Sequence, residues 1–366
     1  MAARPRSALL HWTGVLPIAG VVLLVLVWGR SVPPVLVAVE SLFLAAAVLA
    51  AVHHAEVIAH RVGEPFGSLV LAVAVTTIEV ALIVTLMADG GEKSAALARD
   101  TVFAAVMITC NGIVGLCLLV GSLKRKVAVF NAEGTGAALA TVATVAGLSL
   151  ALPTFTTSAP GPRFSGPQLV FAALASLALY ALFVATQTIR HRDYFLPVTT
   201  SGEVIAGEDH ADPPSARVAL RSLGLLAVAL IAVVGLDKAV SPTIEAGVAA
   251  AGLPSSVVGV VIALLVLLPE TIAAVRAARR DRVQTSLNLA LGSAMASIGL
   301  TIPAVALATV WLKGPLVLGL GASHMVLLVL TVVVGTLTVL PGRATPLQGG
   351  VHLTLLAAYI VLAVSP

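Results

Sequence analysis

The chain has 366 residues, of which 59% are hydrophobic and 10% charged, with a formal net charge of +4 at pH 7 and a mean hydropathy of +1.07. Water-soluble domains hold about 25% charged and 45–50% apolar residues, so the composition excludes a soluble globular protein. Apolar runs of the roughly 20 residues needed to cross a bilayer recur from end to end. Lipid offers the backbone no hydrogen-bond partners and barrel strands would be much shorter. The expected fold is therefore an all-α polytopic membrane protein.

Eleven spans are expected, at 12–29, 34–58, 66–88, 100–122, 134–152, 167–189, 217–237, 253–275, 284–311, 315–340 and 348–364. The first lacks a small-residue cleavage site and reads as a retained helix. The second carries Glu40, read as a rim acid, and ends in HHAEVIAH (53–60). There His53, Glu56 and His60 share one helical face, but the spacing is not the H-E-x-x-H of a metalloprotease. Interface residues are the simpler reading, with Glu56 as a candidate for an ion or proton entry path.

The third span lies in GEPFGSLVLAVAVTTIEVALIV (63–84) and sets Glu79 deep in an apolar run. The fourth, FAAVMITCNGIVGLCLLVG, holds Asn111, Gly112 and two cysteines, Cys110 and Cys117, which read as small core residues. Glu133 opens the fifth span, either as a helix N-terminal acid or as a proton-path group. The long polar interval 190–216 follows the sixth and reads as a solvated linker. Its acids Glu203, Glu208, Asp209 and Asp212 lack the spacing and turn glycine of an EF-hand. VVGVVIALLVLLPETIAAV (257–275) then repeats the buried acid with Glu270, and Pro269 beside it is expected to break the helix. QTSLNLALGSAMASIGLTIPAVA adds Asn288, Gly292, Ser293 and Ser297. His324 and His352 open the last two spans as interhelical hydrogen-bond partners, with a proton-relay role as the alternative.

With the N-terminus in the cytoplasm, fifteen Lys and Arg fall on the inner side and six on the outer, as the positive-inside rule requires. The C-terminus is then outside. Glu79 and Glu270 lie five spans apart, an odd number, so the two acidic runs enter the membrane in opposite directions. The economical description is residues 1–33 with one extra helix, a five-helix repeat over 34–189, the linker 190–216, and an inverted five-helix repeat over 217–366. Secondary transporters are commonly built this way.

The stretches GEPFGSLVLAVAVTTIEVALI and LLPETIAAVRAARRDRVQTSLNLALGSAMASIGLTIPA resemble the two α-repeats of the calcium/cation antiporter superfamily. The resemblance is to its bacterial branch that exchanges calcium, sodium or potassium for protons, and it extends from about residue 34 to the C-terminus. It implies cation- and proton-binding roles for Glu79 and Glu270. Gly292–Ser293 match the second Gly-Ser of the family pattern, while Asn111–Gly112 stand at the first. Thr76–Thr77 and Leu267–Leu268 replace the usual Gly-Asn, which leaves selectivity among Ca²⁺, Na⁺ and K⁺ open.

Chemistry supports the same reading independently. A charge near the bilayer centre costs at least about 2.5–3.5 kcal/mol, so such acids face the protein interior or water. Neither Glu79 nor Glu270 has a basic residue within reach on its own span, so the natural counter-ions are a metal cation or protons. Hard oxygens suit Ca²⁺, which takes 6–8 of them; Thr77, Asn111, Asn288 and Ser293 are candidate supports, with Gly112 and Gly292 allowing close approach. One Ca²⁺ neutralises two carboxylates, and so do two protons, which makes obligatory antiport the leading mechanism. A cation channel or uniporter is the alternative; an intramembrane enzyme lacks a nucleophile–base pair. No cofactor is expected. The expected partners are inorganic cations, protons and membrane lipid, with no nucleic acid, and a homo-oligomer is compatible with the chain. Arg-rich basic usage with abundant Ala and Val suggests a bacterial inner membrane.

Overall fold

The computed structural model describes residues 7–30, 33–63, 66–90, 95–198, 213–254, 256–312 and 314–366. The acids Glu203, Glu208, Asp209 and Asp212 lie outside them. The described residues are almost wholly helical: α1 (Ser7–Val27), α2 (Pro34–Val62), α3 (Phe66–Gly90), α4 (Leu97–Met107), α5 (Val114–Arg125), α6 (Ala132–Ala146), α7 (Gly166–Ala185), α8 (Ala216–Ala250), α9 (Ser256–Arg279), α10 (Val283–Ala308), α11 (Ala322–Val339) and α12 (Pro346–Val364). A π-helical turn, Ile108–Ile113, joins α4 to α5 into one continuous span. Among the described residues, ten helical segments are long and apolar enough to cross a membrane, and Trp12–Val27 is a shorter apolar helix.

Two expected boundaries move. Helix α8 does not stop near residue 237 but runs through Pro242 to Ala250. The tenth span starts at Ala322, because residues 315–321 are not helical. Pro315, Gly319 and Gly321 disfavour helix there, although the segment is as apolar as its neighbours. Its backbone is satisfied by the protein instead. Val317 N–H donates to Ala95 O at 2.9 Å, Gly319 N–H to Pro162 O at 3.0 Å and Leu320 N–H to Leu150 O at 2.8 Å. Irregular backbone among apolar spans is tolerated only when protein groups satisfy it in this way.

The chain divides into two compact units. The first comprises Met1–Asp89 with Ala211–Gly252. In it α2 packs along α8, and α1 lies against both. His54 pins the three helices together: Nε2 donates to Thr13 O at 3.1 Å, and Nδ1 lies 3.4 Å from the Ser222 hydroxyl. A carbonyl can only accept, so Nε2 carries the proton and Nδ1 accepts from the serine. Close approach is secured higher up by Gly235, where an added Cβ would fall 2.0 Å from Leu24.

The second unit comprises Gly90–His210 with Leu253–Pro366. Helix α10 packs against α7, α9 and α6, while α12 lies against α5 and α4 against α9. A two-stranded ribbon, β1 (Ala128–Val129) with β2 (Arg343–Ala344), ties the α5–α6 and α11–α12 connections together. The start of the expected linker is docked too. Residues Arg192–Phe195 form a 3-10 turn whose Phe195 is buried against Phe183, centroids 5.9 Å apart.

Candidate functional site

Glu270 sits on α9, part-buried, at the fifteenth of its 24 residues. The helix continues unbroken through Pro269, so the expected break is absent. The proline still withholds one amide, leaving the Leu265 carbonyl without its usual i+4 donor. The α9–α10 turn is tight, with Asp281 in the left-handed region at φ 61. Counting back eleven residues to Glu270 and forward eleven to Gly292 sets them at equal height, about 16 Å from the turn at 1.5 Å per residue. Gly292 has nothing within 4 Å of an added Cβ, and both it and Ser293 are part-buried. One helical turn further, Ser297 is buried.

A second element reaches the same height. Gly259 of α9 packs on the backbone of Asp100–Thr101, 3.0 Å from the Thr101 nitrogen to an added Cβ. Farther along, α9 contacts the π-turn and then α5, so α4 and α9 run in the same direction. Eleven residues beyond these contact points lie Glu270 on one helix and Gly112 on the other. Glu270, Gly292–Ser293 and the π-turn thus share one level of the second unit.

The Asn111 side chain in that turn is fully engaged. Its Nδ2 donates to the Thr331 hydroxyl at 2.8 Å, and its Oδ1 lies 3.1 Å from Nδ1 of His352. The amide nitrogen must donate, so Oδ1 accepts, His352 carries its proton on Nδ1, and Nε2 accepts from Thr338 at 3.2 Å. His352 is therefore an interhelical hydrogen-bond partner. The chain Thr331–Asn111–His352–Thr338 fixes the turn to α11 and α12. Gly112 lets α12 close in, with Leu356 only 2.9 Å from an added Cβ.

Glu79 is buried at the fourteenth of the 25 residues of α3. Thr76, one turn earlier on the same face, is buried with it. Thr77 faces elsewhere: it is exposed, and its hydroxyl donates to Val73 O at 2.7 Å. Asn288 donates to Phe195 O at 2.7 Å and accepts from Gln284 at 2.8 Å, tying α10 to the 192–195 turn. Glu133 is exposed at the N-terminus of α6, behind the N-cap Asn131. His324 packs on Phe103, centroids 5.0 Å apart, at the start of α11. Glu56 is exposed on α2. Among the described residues no group of three or more His, Cys, Asp or Glu is placed to hold a metal ion, so HHAEVIAH forms no such cluster. Cys110 and Cys117 are free and buried.

Three buried acids escape a reading based on the sequence. Asp100 is paired with Arg99 at 2.7 Å. Asp237 accepts from Ser241 at 3.3 Å. Glu40, expected at the rim, is 0% exposed. In the first two, a base stands beside the acid in sequence and suggests a solvated helix end. The structure keeps the base more exposed and buries the acid.

The sequence signature of the sodium/calcium exchanger protein family matches residues 32–189 and 221–365. The chain is 45% identical over 362 residues to a Sinorhizobium fredii protein described as an ionic transporter, y4hA, covering 97% of this chain and 96% of that one. It is 35% identical over 351 residues to the sodium-potassium/proton antiporter ChaA of Escherichia coli, covering 95% and 94% respectively. Among solved structures, the fold is shared with the H⁺/Ca²⁺ exchanger CAX, at a TM-score of 0.69 and 16% identity over 97% of this chain and 92% of that one. It is likewise shared with native YfkE, at a TM-score of 0.68 and 20% identity over 96% and 98%.

Proposed function

Because the chain belongs to the sodium/calcium exchanger protein family, we propose that it exchanges Ca²⁺, and Na⁺ or K⁺ with it, for protons by alternating access. The family consists of transporters that carry inorganic cations without a cofactor, so the protein is an integral membrane exchanger and not an enzyme. Glu79 and Glu270 are the acids that bind cation and proton in turn. The observation that carries this is their placement: each stands near the middle of an apolar helix of 24 or 25 residues. Gly292, Ser293 and the π-turn around Gly112 support Glu270, and Thr76 accompanies Glu79.

Charge accounting supplies the coupling. Ionised carboxylates at membrane depth carry a large desolvation penalty. One Ca²⁺ removes that charge, and so do two protons. A carrier that reorients only when neutralised must return protons for every cation it releases. The name of the Escherichia coli relative, a sodium-potassium/proton antiporter, favours proton coupling and a monovalent cargo alongside calcium. The bacterial inner membrane, with the N-terminus cytoplasmic and the C-terminus outside, completes the proposal.

Competition tests it. In purified protein, the apparent affinity for Ca²⁺ should weaken as pH falls and protons compete with the cation for these carboxylates. An affinity that does not change from mildly acidic to alkaline pH would contradict shared acids.

A further inference from the structure

Glu40 stands outside the proposed exchange chemistry. It is 0% exposed, and neither carboxylate oxygen has a hydrogen-bond partner among the described residues. An ionised carboxylate in that setting carries a large penalty, and buried acids are ordinarily neutralised or paired. The place in the fold is specific. From the His54–Ser222 contact, fourteen residues back along α2 reach Glu40, and fifteen forward along the antiparallel α8 reach Asp237. These are rises of about 21 and 22 Å, so the two acids stand at one height. Gly20 of α1 fixes the register independently, since an added Cβ there meets Phe43 of α2 and Leu236 of α8 together.

The two acids also share a flank. At about 100° per residue, Glu40 lies about 40° round from His54 and Asp237 about 60° round from Ser222, both away from the side that α1 covers. Ser241, one turn beyond Asp237, holds one of its oxygens. Of the helices packed against α2, α1 brings no titratable residue after His11, which lies at the opposite end. From α8 come Asp237 itself, Lys238, which is exposed, and Glu245, also exposed; Arg217 and Arg221 lie near the Ser222 end. On α2, His53, His54 and Glu56 are also at that far end.

We propose that Glu40 and Asp237 form a second proton-binding carboxyl pair, seated in the α2–α8 helix pair and additional to Glu79 and Glu270. A proton adds to one Glu40 oxygen to give the neutral acid in the closed seam. It leaves to water when the seam opens, restoring the carboxylate. The full burial of Glu40 favours a proton over a metal ion, which would need several oxygens at 2.0–2.6 Å around it. The proposal rests on the antiport reading and deepens it, since a third proton per cycle would change the coupling ratio.

Two measurements on the full chain reconstituted in liposomes test it. Infrared difference spectra between acid and alkaline pH should contain a protonated-carboxyl carbonyl band that E40Q removes and Glu40→Asp retains. The proton-to-cation ratio, read from the pH gradient at which Ca²⁺ flux reverses, should fall by about one in E40Q and in Asp237→Asn. An unchanged band and ratio in E40Q would overturn the proposal and leave Glu40 as a packing residue. If E40Q fails to insert, Asp237→Asn and Glu40→Asp decide by the same two readings. Absence of Ca²⁺-evoked proton movement in the unsubstituted protein would instead defeat the antiport reading, with the infrared band still reporting on Glu40.

Discussion

A glutamine in place of a mid-helix glutamate keeps shape and hydrogen bonding but removes the charge that a cation or a proton answers. Glu79→Gln and Glu270→Gln should therefore each abolish coupled exchange while leaving the protein inserted, as judged by size-exclusion profile and by flux in liposomes. Glu56→Gln and Glu133→Gln should be milder, because both side chains are exposed. Near-normal pH-driven Ca²⁺ and Na⁺ transport in either mid-helix variant would contradict the assignment. His54→Ala should lower thermal stability by about 1–3 kcal/mol, since it leaves the buried Ser222 hydroxyl without this partner and opens a cavity. The positions of Glu79 and Glu270 were legible because one acid in a long apolar run stands out against lipid. Asp100 and Asp237 were hidden by their neighbours Arg99 and Lys238, since an adjacent acid and base look like a solvated helix end. The His352–Asn111 contact spans 241 residues, and no local spacing announces it.

At the level of elements, close packing makes its own demands. An added Cβ on Gly349 would fall 2.7 Å from the Leu119 backbone nitrogen, whereas Gly350 beside it has nothing within 4 Å. Backbone cannot yield as a flexible side chain can, so Gly349→Ala should destabilise by about 1–3 kcal/mol. Gly350→Ala should be neutral in the same thermal melt, and equal melting temperatures would argue against this packing of α12 on α5. Hydropathy located nearly every span, because burial in lipid requires long apolar runs. It misplaced the start of the tenth, because residues 315–321 are apolar yet take their hydrogen bonds from Ala95, Leu150 and Pro162. It also missed the extension of α8 to Ala250, because Asp237 and Lys238 interrupt the apolar run where the helix continues. The π-turn at 108–113 was invisible for a different reason: one extra residue in a turn leaves the apolar pattern intact.

For the whole molecule, family membership follows from matched segments that together span most of the chain, and the inverted-repeat description makes a separate demand on topology. An odd number of spans puts the chain ends on opposite sides of the membrane. Reporter fusions should place residue 1 and the 190–216 segment in the cytoplasm and residue 366 outside; both ends on one side would break the inverted arrangement. The central claim is obligatory exchange, and one measurement addresses it most directly. Liposomes containing the protein are loaded with Ca²⁺, and efflux is followed with and without a proton gradient of opposite direction, the membrane potential being clamped. Exchange predicts efflux that requires external protons, is matched by acidification of the interior, and disappears in Glu270→Gln. Efflux at the same rate without a proton gradient and without interior acidification would show a channel or uniporter, and would contradict the account.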